Sequence, residues 1–322
     1  LPLARRDLMS GRYRFDTVFA TRGCPIGCDF CGVPDMFGRC LRKRPVEQVV
    51  AEIDRLGPFY YLLDDTVFGR AGSHDYYLEL YTALSALPRL RLWTGQINLD
   101  ALATPRGRQV VEAAARAGLI YAAAGLESVN PEVLRLSGAA AKMGLGAGEP
   151  CLDATRDRVR ALQELGIIVS GWFAIGYPQD SIDTYRRTFA FCEEMNILPV
   201  ISPLRALAGT PLHRRLARDG GLAGPGSLTN VAHPTLGREQ VVAELQRGVS
   251  RAYSPGAILA RTAFYRRRWA SLEGGSPELS IRRNIFALML QWSSGRVLAR
   301  ENENLARGNQ DLIPFDPGHP LL

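Results

Sequence analysis

The alternation of strand-length apolar runs with helical segments constrains the fold of this chain more than any other feature. The runs predicted as strands are 17–20, 60–63, 90–97, 119–124, 167–175 and 198–204. The segments between them that have a helical spacing of apolar residues are 46–56, 75–87, 106–117, 155–165 and 181–195. Six such units predict an α/β fold with a parallel sheet and helical crossovers. A doubly wound sheet and a complete or partial barrel both fit this pattern.

The strand pattern ends at Leu204, and the rest of the chain differs in character. Residues 220–227 are rich in glycine, and helices are predicted near 238–253 and 277–298. We therefore predict three parts: a linker or N-terminal arm at 1–15, a core at 16–215, and a mainly helical C-terminal extension at 216–322. We expect the C-terminal helices to cap the open side of a barrel and to shape a substrate site.

Composition and charge exclude several classes of protein. The chain is 46% hydrophobic and 22% charged, which excludes a disordered or collagen-like protein. The longest apolar stretches, such as 167–175 and 286–290, are far shorter than the roughly 20 residues of a membrane-spanning helix. The net charge is +7, but the 37 arginines and two lysines recur along the whole chain, whereas a nucleic-acid binder more often concentrates them in one stripe. We therefore expect neither a membrane span nor nucleic acid as a partner.

Three cysteines lie close together directly after the first predicted strand. Cys24, Cys28 and Cys31 have the spacing C-x3-C-x2-C, and the glycines and proline among them predict a loop. Thiolates are soft ligands that favour an iron–sulfur cluster, zinc or Cu(I). A structural zinc site needs four protein ligands, and Cys40 is the candidate for the fourth. Three thiolates on one loop fit a 4Fe-4S cluster with one iron left open better than they fit zinc.

This cysteine spacing, with the aromatic Phe30 before the last cysteine, resembles the signature of the radical S-adenosylmethionine (SAM) superfamily. The resemblance covers residues 10–215 and implies a core that is a partial (β/α)6 TIM-like barrel. It also implies that Cys24, Cys28 and Cys31 bind three irons of a 4Fe-4S cluster and that SAM chelates the fourth. In that family the reduced cluster cleaves SAM, and the resulting 5′-deoxyadenosyl radical abstracts a substrate hydrogen.

The segments that end the other predicted strands resemble the SAM-binding segments of the family. The acidic pair at 64–65 lies where the family has a segment near the methionyl amine, although a helix cap or turn is the alternative. Gln96 and Asn98 lie where polar groups meet the methionyl or ribose part, with an ordinary turn as the alternative. Residues 125–128 resemble a Gly-Ile-Glu-Ser segment, and 171–178 resemble the segment whose backbone pairs with adenine. The cofactor contacts implied in this way are Phe30, Asp65, Gln96, Asn98, Glu127, Ser128, Ala174 and Gly176.

Weaker similarities point to the branch of the superfamily that uses cobalamin. Residues 1–8 resemble the connector after a cobalamin domain, and 208–212 resemble the Pro-Gly-Thr-Pro-Leu segment after the sixth strand. An Asp-x-His-x-x-Gly cobalamin motif is missing from the 322 residues. Either a cobalamin domain lies upstream of this chain, or the enzyme works without one. The stretch 138–150 is longer than the usual connection, either as a substrate lid or as a tolerated insertion.

The leading hypothesis is a radical SAM enzyme that acts on a small molecule of secondary-metabolite or lipid type. Its first option is C-methylation with cobalamin. The alternatives are cobalamin-independent cyclisation, rearrangement or dehydrogenation, and transfer of another SAM-derived group. An exposed cluster implies a cytoplasmic location and an electron donor such as flavodoxin or ferredoxin.

Two further hypotheses remain open at the level of sequence. One is a radical SAM enzyme that modifies RNA or a peptide, with affinity supplied by the arginines at 266–268. The other is a zinc-stabilised, non-enzymatic α/β protein that uses Cys40. We assign no residue as the substrate-side acid or base. Three residues lie where a substrate pocket is expected: Tyr13, Tyr177 and Arg205.

Overall fold

The computed structural model describes residues 4–8, 16–145, 151–224, 227–272 and 277–307. Its strands are β1 (Asp16–Val18), β2 (Thr21–Arg22), β3 (Arg42–Lys43), β4 (Phe59–Leu62), β5 (Leu92–Ile97), β6 (Leu119–Glu127), β7 (Ile168–Ile175) and β8 (Leu198–Pro203). Its helices are α1 (Val33–Phe37), α2 (Val46–Ile53), α3 (His74–Ser85), α4 (Pro105–Arg116), α5 (Pro131–Leu136), α6 (Cys151–Glu164), α7 (Ile182–Glu194), α8 (Pro211–Asp219), α9 (Arg238–Ala252), α10 (Pro255–Leu272) and α11 (Pro277–Ala306).

Six strands form one parallel sheet in the order β1-β4-β5-β6-β7-β8. The strands follow one another across the sheet in chain order, without the reversal that defines a doubly wound sheet. In the part of the chain that the structure describes, β8 does not pair with β1. The core is therefore a partial (β/α)6 TIM-like barrel, which confirms the predicted α/β class. The short strands β2 and β3 form a separate antiparallel hairpin.

The two faces of the sheet differ in burial because successive side chains of a strand point to opposite sides. The outer face packs against the crossover helices, and its side chains, such as Tyr60, Trp93 and Val169, are buried. Alternate positions face the inside of the barrel and keep contact with solvent. These inner positions include Tyr61, Thr94, Gln96, Tyr121, Gly125, Trp172, Ala174, Val200 and Ser202.

The crossover helices begin and pack as their sequences dictate. In α2, Val46, Val49 and Ile53 recur at helical spacing and are all buried against the sheet. In α4, the hydroxyl of Thr104 accepts a hydrogen bond from the Gly107 N–H at 3.1 Å, and a proline occupies the first turn. Such a capped start satisfies backbone donors that would otherwise lack a partner.

Side chains occupy both outer edges of the partial barrel. At the free edge of β1, guanidinium groups donate to two backbone carbonyls: Arg6 to Thr17 at 2.6 Å and Arg44 to Phe19 at 2.7 Å. Both arginines also pair with the buried Glu52, at 2.7 and 2.8 Å. At the β8 edge, the Tyr253 hydroxyl donates to the carbonyl of Pro199 at 2.8 Å.

Helix α10 and the first half of α11 cover the amino-terminal ends of the strands. Buried Tyr265, Trp269 and Phe286 form one apolar cluster with residues at the starts of four strands, namely Leu92, Ile120, Ile168 and Leu198. The cysteine loop lies at the opposite end of the barrel. The expectation that the C-terminal helices shape the substrate site is therefore wrong for α10 and for this half of α11. Within the described ranges, no helix is both long and apolar enough to span a bilayer.

Several elements differ from the predicted ones. Strand β6 continues to Glu127, three residues beyond its predicted end. The helices α8 and α10 and the β2–β3 hairpin were not predicted. The predicted boundary at residue 215 lies inside α8, and the backbone N–H of Leu212 in this helix donates to Asp29 in the cysteine loop at 2.8 Å. The three-part domain division remains a prediction.

Candidate active site

The three clustered cysteines lie in the loop between β2 and β3, after the carboxyl end of β1. Cys24 and Cys28 are buried, Cys31 is partly exposed, and all three are free thiols. Burial raises the pKa of Cys28 to about 12, whereas the nearby Lys142 ammonium lowers it, and the other two thiols interact with it electrostatically. The loop therefore presents three thiols near one another and near one buried cation.

A single metal ion does not fit this loop as well as a cluster does. Among the described residues, no three His, Cys, Asp or Glu side chains converge on a point that could hold one ion. Cys40, the candidate fourth ligand for zinc, is exposed. In a 4Fe-4S cluster each thiolate binds a different iron, so the three sulfurs need not converge on one point. The donor set of three soft thiols fits such a cluster.

The acidic pair after β4 holds the start of the cysteine loop in place. Buried Asp64 accepts hydrogen bonds from the backbone N–H groups of Ala20 and Thr21 at 2.8 and 3.0 Å. Asp65 accepts from the Gly23 N–H at 2.8 Å. Gly23 has a φ of +102°, and a Cβ there would lie 2.4 Å from the carbonyl oxygen of Cys40. The loop therefore requires glycine at this position and uses both carboxylates as anchors.

Asp29, between the second and third cysteines, connects the loop to two other elements. Its buried carboxylate accepts a hydrogen bond from the Tyr177 hydroxyl at 2.5 Å and pairs with Arg215 of α8 at 2.8 Å. Its own N–H donates to the Ser137 carbonyl at 2.9 Å. Neither Asp29 nor Arg215 was predicted as a site residue. An acidic residue inside a buried cysteine motif is the signal that could have identified the first of them.

Glu127 and Lys142 form a buried ion pair at the carboxyl end of β6. The Lys142 Nζ lies 2.5 Å from the Glu127 Oε1, and the two side chains are only 15% and 11% exposed. Glu127 has a φ of +61°, a conformation that costs free energy for a residue with a Cβ. A Cβ on Gly125 would lie 2.5 Å from the Glu127 carboxylate and 2.9 Å from Lys142. The glycine thus leaves the space that the ion pair occupies.

Lys142 also faces the cysteine loop. Burial opposes its charge, but Glu127 and the Cys28 thiol outweigh that effect and hold the pKa of Lys142 above its usual value. Its Nζ lies 6.0 Å from the centre of the Phe30 ring. Lys142 was not predicted as a site residue and lies within the stretch 138–150, which was considered as a lid or an insertion. Its rarity was an available signal, because the chain contains only one other lysine among 37 arginines.

The remaining predicted contacts lie at the carboxyl ends of β5, β6 and β7. Gln96 is exposed on the inner face, whereas Asn98 is buried at the end of its strand. Buried Ser128 accepts a hydrogen bond from the Asn130 N–H at 3.0 Å. Ala174 lies on the inner face of β7. The N–H of Gly176 donates to the Asp180 carboxylate at 2.9 Å.

The structure thus brings the predicted positions together at one end of the barrel, and their roles as ligands remain predictions. Residues 138–145 pack against the site, with Met143 fully buried, while 146–150 and Tyr13 lie outside the described residues. The Tyr177 hydroxyl is engaged by Asp29. Arg205 lies near Glu301 of α11, which it influences electrostatically.

Comparison with known proteins identifies the family. The model of the radical SAM superfamily matches residues 18–192. The chain belongs to the radical SAM superfamily. This assignment confirms the resemblance carried by the cysteine spacing, and it supports an enzyme. Membership implies SAM and a 4Fe-4S cluster as the cofactors of the radical SAM core.

Curated relatives of this radical SAM chain are named as methyltransferases. The bacteriochlorophyllide d C-12(1)-methyltransferase of Chlorobaculum tepidum is 30% identical over 202 residues, covering 60% of this chain and 41% of the relative. The hopanoid C-2 methylase of Rhodopseudomonas palustris is 29% identical over 264 residues, covering 78% and 47%. The chain therefore spans less than half the length of these two relatives.

Solved structures share the fold of this radical SAM core. The cobalamin-dependent radical enzyme OxsB, solved with aqua-cobalamin and SAM, has a TM-score of 0.57 at 14% identity, covering 95% of this chain and 56% of OxsB. The methyltransferase TsrM of Kitasatospora setae, solved with cobalamin and a 4Fe-4S cluster, has a TM-score of 0.53 at 20% identity, covering 66% and 38%. At these identities the likeness establishes the fold.

Proposed function

We propose that this chain is the radical SAM core of an enzyme that methylates carbon in a small molecule, with cobalamin as an additional cofactor. The observation that carries the proposal is the loop of three free thiols, held at the carboxyl end of a radical SAM barrel. The active sites of such barrels lie at this end. The relatives named as methylases support the reaction class.

Cys24, Cys28 and Cys31 are the residues that would hold the cluster. When bound, the cluster supplies the electron that cleaves SAM, and SAM supplies the radical. Lys142 places a positive charge beside the thiolates, which offsets part of their negative charge in a poorly solvated loop. Phe30, next to Cys31 and near Lys142, limits the access of water to the same region.

The polar groups around the loop would position SAM. Asp65, Gln96 and Asn98 lie at the carboxyl ends of two adjacent strands, and we propose that they face the methionyl and ribose parts. Glu127 and Ser128 end the next strand. The backbone around Ala174 and Gly176 is the proposed contact of adenine, because a glycine allows close approach to the chain.

The inner face of the barrel supports a small, uncharged substrate. The inner-face positions named above carry aromatic, aliphatic or neutral polar side chains, and Trp172 is 45% exposed there. A phosphate-rich substrate would instead require basic residues. We therefore favour a metabolite or lipid-type molecule over RNA. We assign no catalytic acid or base.

Anaerobic reconstitution with iron and sulfide tests the proposal. The full chain would be reduced with SAM in the presence and absence of methylcobalamin, and 5′-deoxyadenosine and S-adenosylhomocysteine would be measured by mass spectrometry. We expect 5′-deoxyadenosine from the wild type and none from Cys28→Ala. The matched control is Cys40→Ala, which removes an exposed thiol and should leave the product unchanged.

The outcomes separate the alternatives. S-adenosylhomocysteine that depends on cobalamin selects methyl transfer, whereas 5′-deoxyadenosine alone selects cobalamin-independent radical chemistry. Loading of zinc without iron or sulfide would overturn the enzymatic proposal. The proposal includes a reducing, cytoplasmic location and an electron donor such as flavodoxin or ferredoxin, because a solvent-accessible cluster needs both. Reduction by purified flavodoxin tests the donor.

A further inference from the structure

The outer face of α11 carries an apolar stripe whose side chains remain substantially exposed to solvent. Its members are Ile281, Ile285, Leu288, Met289 and Trp292, each between 37% and 59% exposed. Their spacing of three and four residues places them on one side of the helix. The stripe extends over about 16 Å along the helix axis. A continuous apolar patch on a surface marks an interaction site more often than scattered single residues do.

The opposite side of α11 fixes the direction in which the stripe points. Ala287, Gln291 and Leu298 are buried, and Gln291 bonds with Arg261 of α10 at 2.9 Å. These residues lie about a third of a helical turn from the centre of the stripe. The stripe therefore points away from the barrel, and it lies at the end opposite to the cysteine loop.

The charge around the stripe is predominantly positive. Helices α10 and α11 contain eight arginines and three glutamates. Arg282, Arg296 and Arg300 follow one edge of the stripe by helical spacing, and all three are exposed. A helix with exposed apolar residues, a tryptophan and flanking arginines is typical of segments that lie in the interface of a bilayer.

The geometry points to a docking function: the outer face of α11 binds the surface of a bilayer that contains anionic lipids. The helix lies parallel to the membrane, with its stripe in the boundary between headgroups and acyl chains and its arginines beside lipid phosphates. The inference does not depend on the proposed function.

The charge distribution favours a lipid surface over the other occupants of such a face. A second copy of this chain would bring the exposed Arg282, Arg296 and Arg300 against the same three arginines, and like charges at an interface are unfavourable. Nucleic acid would pair with the arginines but would leave five apolar side chains of the stripe in water. An anionic bilayer satisfies both the charge and the apolar surface.

Vesicle binding of the full chain tests the inference. Vesicles of phosphatidylglycerol and phosphatidylcholine in equal parts would be compared with vesicles of phosphatidylcholine alone, by sedimentation. We expect binding to the anionic vesicles, and a decrease on the order of tenfold for the double variant Ile285→Ser/Trp292→Ser. Arg296→Gln should weaken binding roughly fivefold, since each basic residue near the surface contributes about 1 kcal/mol.

Controls separate docking from loss of fold. Leu8→Ser replaces a leucine that is 73% exposed outside the barrel, and it should bind as the wild type does. Trp292→Phe should still bind but lose the blue shift of tryptophan fluorescence that accompanies insertion. Equal binding to both kinds of vesicle, or unchanged binding of the double variant, would overturn the inference. Light scattering that shows a dimer of the wild type and a monomer of the double variant would also overturn the inference, because the stripe would then be an interface between two copies of the chain.

Discussion

The two ends of the barrel are built from different interactions. At the amino-terminal end, Tyr265 and Trp269 are fully buried, and their polar atoms bond to backbone groups, as in the 2.7 Å bond from Trp269 Nε1 to the Gly166 carbonyl. At the carboxyl end, Glu127 adopts a positive φ, and buried charges pair at 2.5 to 2.8 Å. Aromatic packing stabilises the fold at one end. Strain and buried charge at the other end indicate a site arranged for chemistry.

The largest expected effect on stability comes from the amino-terminal end. Trp269→Ala should lower the free energy of unfolding by about 3–5 kcal/mol, because it leaves a cavity in a close-packed cluster. Trp172→Ala, at a half-exposed inner position, should cost less than about 1 kcal/mol but reduce product formation. Urea unfolding of both variants measures the difference. Equal losses would mean that the two ends do not differ as described.

The next effect concerns the ion pair beside the cysteine loop. Lys142→Met should destabilise the protein by about 3 kcal/mol, because it leaves the Glu127 carboxylate buried without its partner. The double variant Glu127→Gln/Lys142→Met should recover most of that loss in the same unfolding measurement. A loss in the double variant equal to the sum of the losses in Glu127→Gln alone and Lys142→Met alone would contradict the pairing.

Lys142 should also influence the reconstituted cluster. Loss of its charge should lower the reduction potential, since net charge near a cluster sets that potential. Lys142→Arg retains the charge and is the matched control. Redox titration followed by electron paramagnetic resonance measures the reduction potential of both variants. An unchanged potential in Lys142→Met would show that Lys142 does not influence the cluster.

A smaller effect is expected from the network around Asp29. Asp29→Asn should cost about 1–2 kcal/mol, because the bonds to Arg215 and Tyr177 lose their ionic character. Tyr177→Phe removes one of these bonds and should cost less. Both variants should retain less iron per chain after reconstitution than the wild type. Wild-type iron content in both would show that the network supports the fold alone.

The smallest effect is expected at Thr104. A variant of this residue tests whether every polar group at the carboxyl end belongs to the site. Thr104 caps α4 and contacts no residue of the cysteine loop among its hydrogen bonds. Thr104→Ala should cost about 1 kcal/mol through the lost cap and leave the rate of 5′-deoxyadenosine formation unchanged. A fall in that rate at constant stability would show that the turn at Thr104 contributes to the site.

The α/β fold class could be predicted from sequence because its signals are local. Apolar periodicity in single segments, such as Val46 to Ile53, is enough to place a helix against a sheet. The cysteine loop was equally local, since its three cysteines lie within eight residues. The order of the strands was not fixed in this way, because right-handed crossovers are common to doubly wound sheets and barrels. The resemblance carried by the cysteine loop implied the barrel.

The interactions that were missed depend on residues far apart in the chain. Asp29 meets Tyr177 across 148 positions, and Trp269 reaches Gly166 across 103. No local pattern reports such a contact. The arginines of α10 were interpreted as a basic patch, and the helix that carries them was overlooked. Tyr265 and Trp269 hold this helix at the amino-terminal end through contacts with the strands and with Gly166, which are distant in sequence.

The side chains at the two outer edges of the sheet have a consequence for the protein in concentrated solution. A partial barrel leaves two strand edges whose backbone groups could template the addition of a foreign strand. Arg6 and Arg44 already occupy the outward carbonyls of β1. Strand β8 contains Pro199 and Pro203, which have no N–H to offer to a neighbour. Edge-to-edge aggregation is thereby discouraged at both margins, and the barrel can stay open to substrate without recruiting other chains.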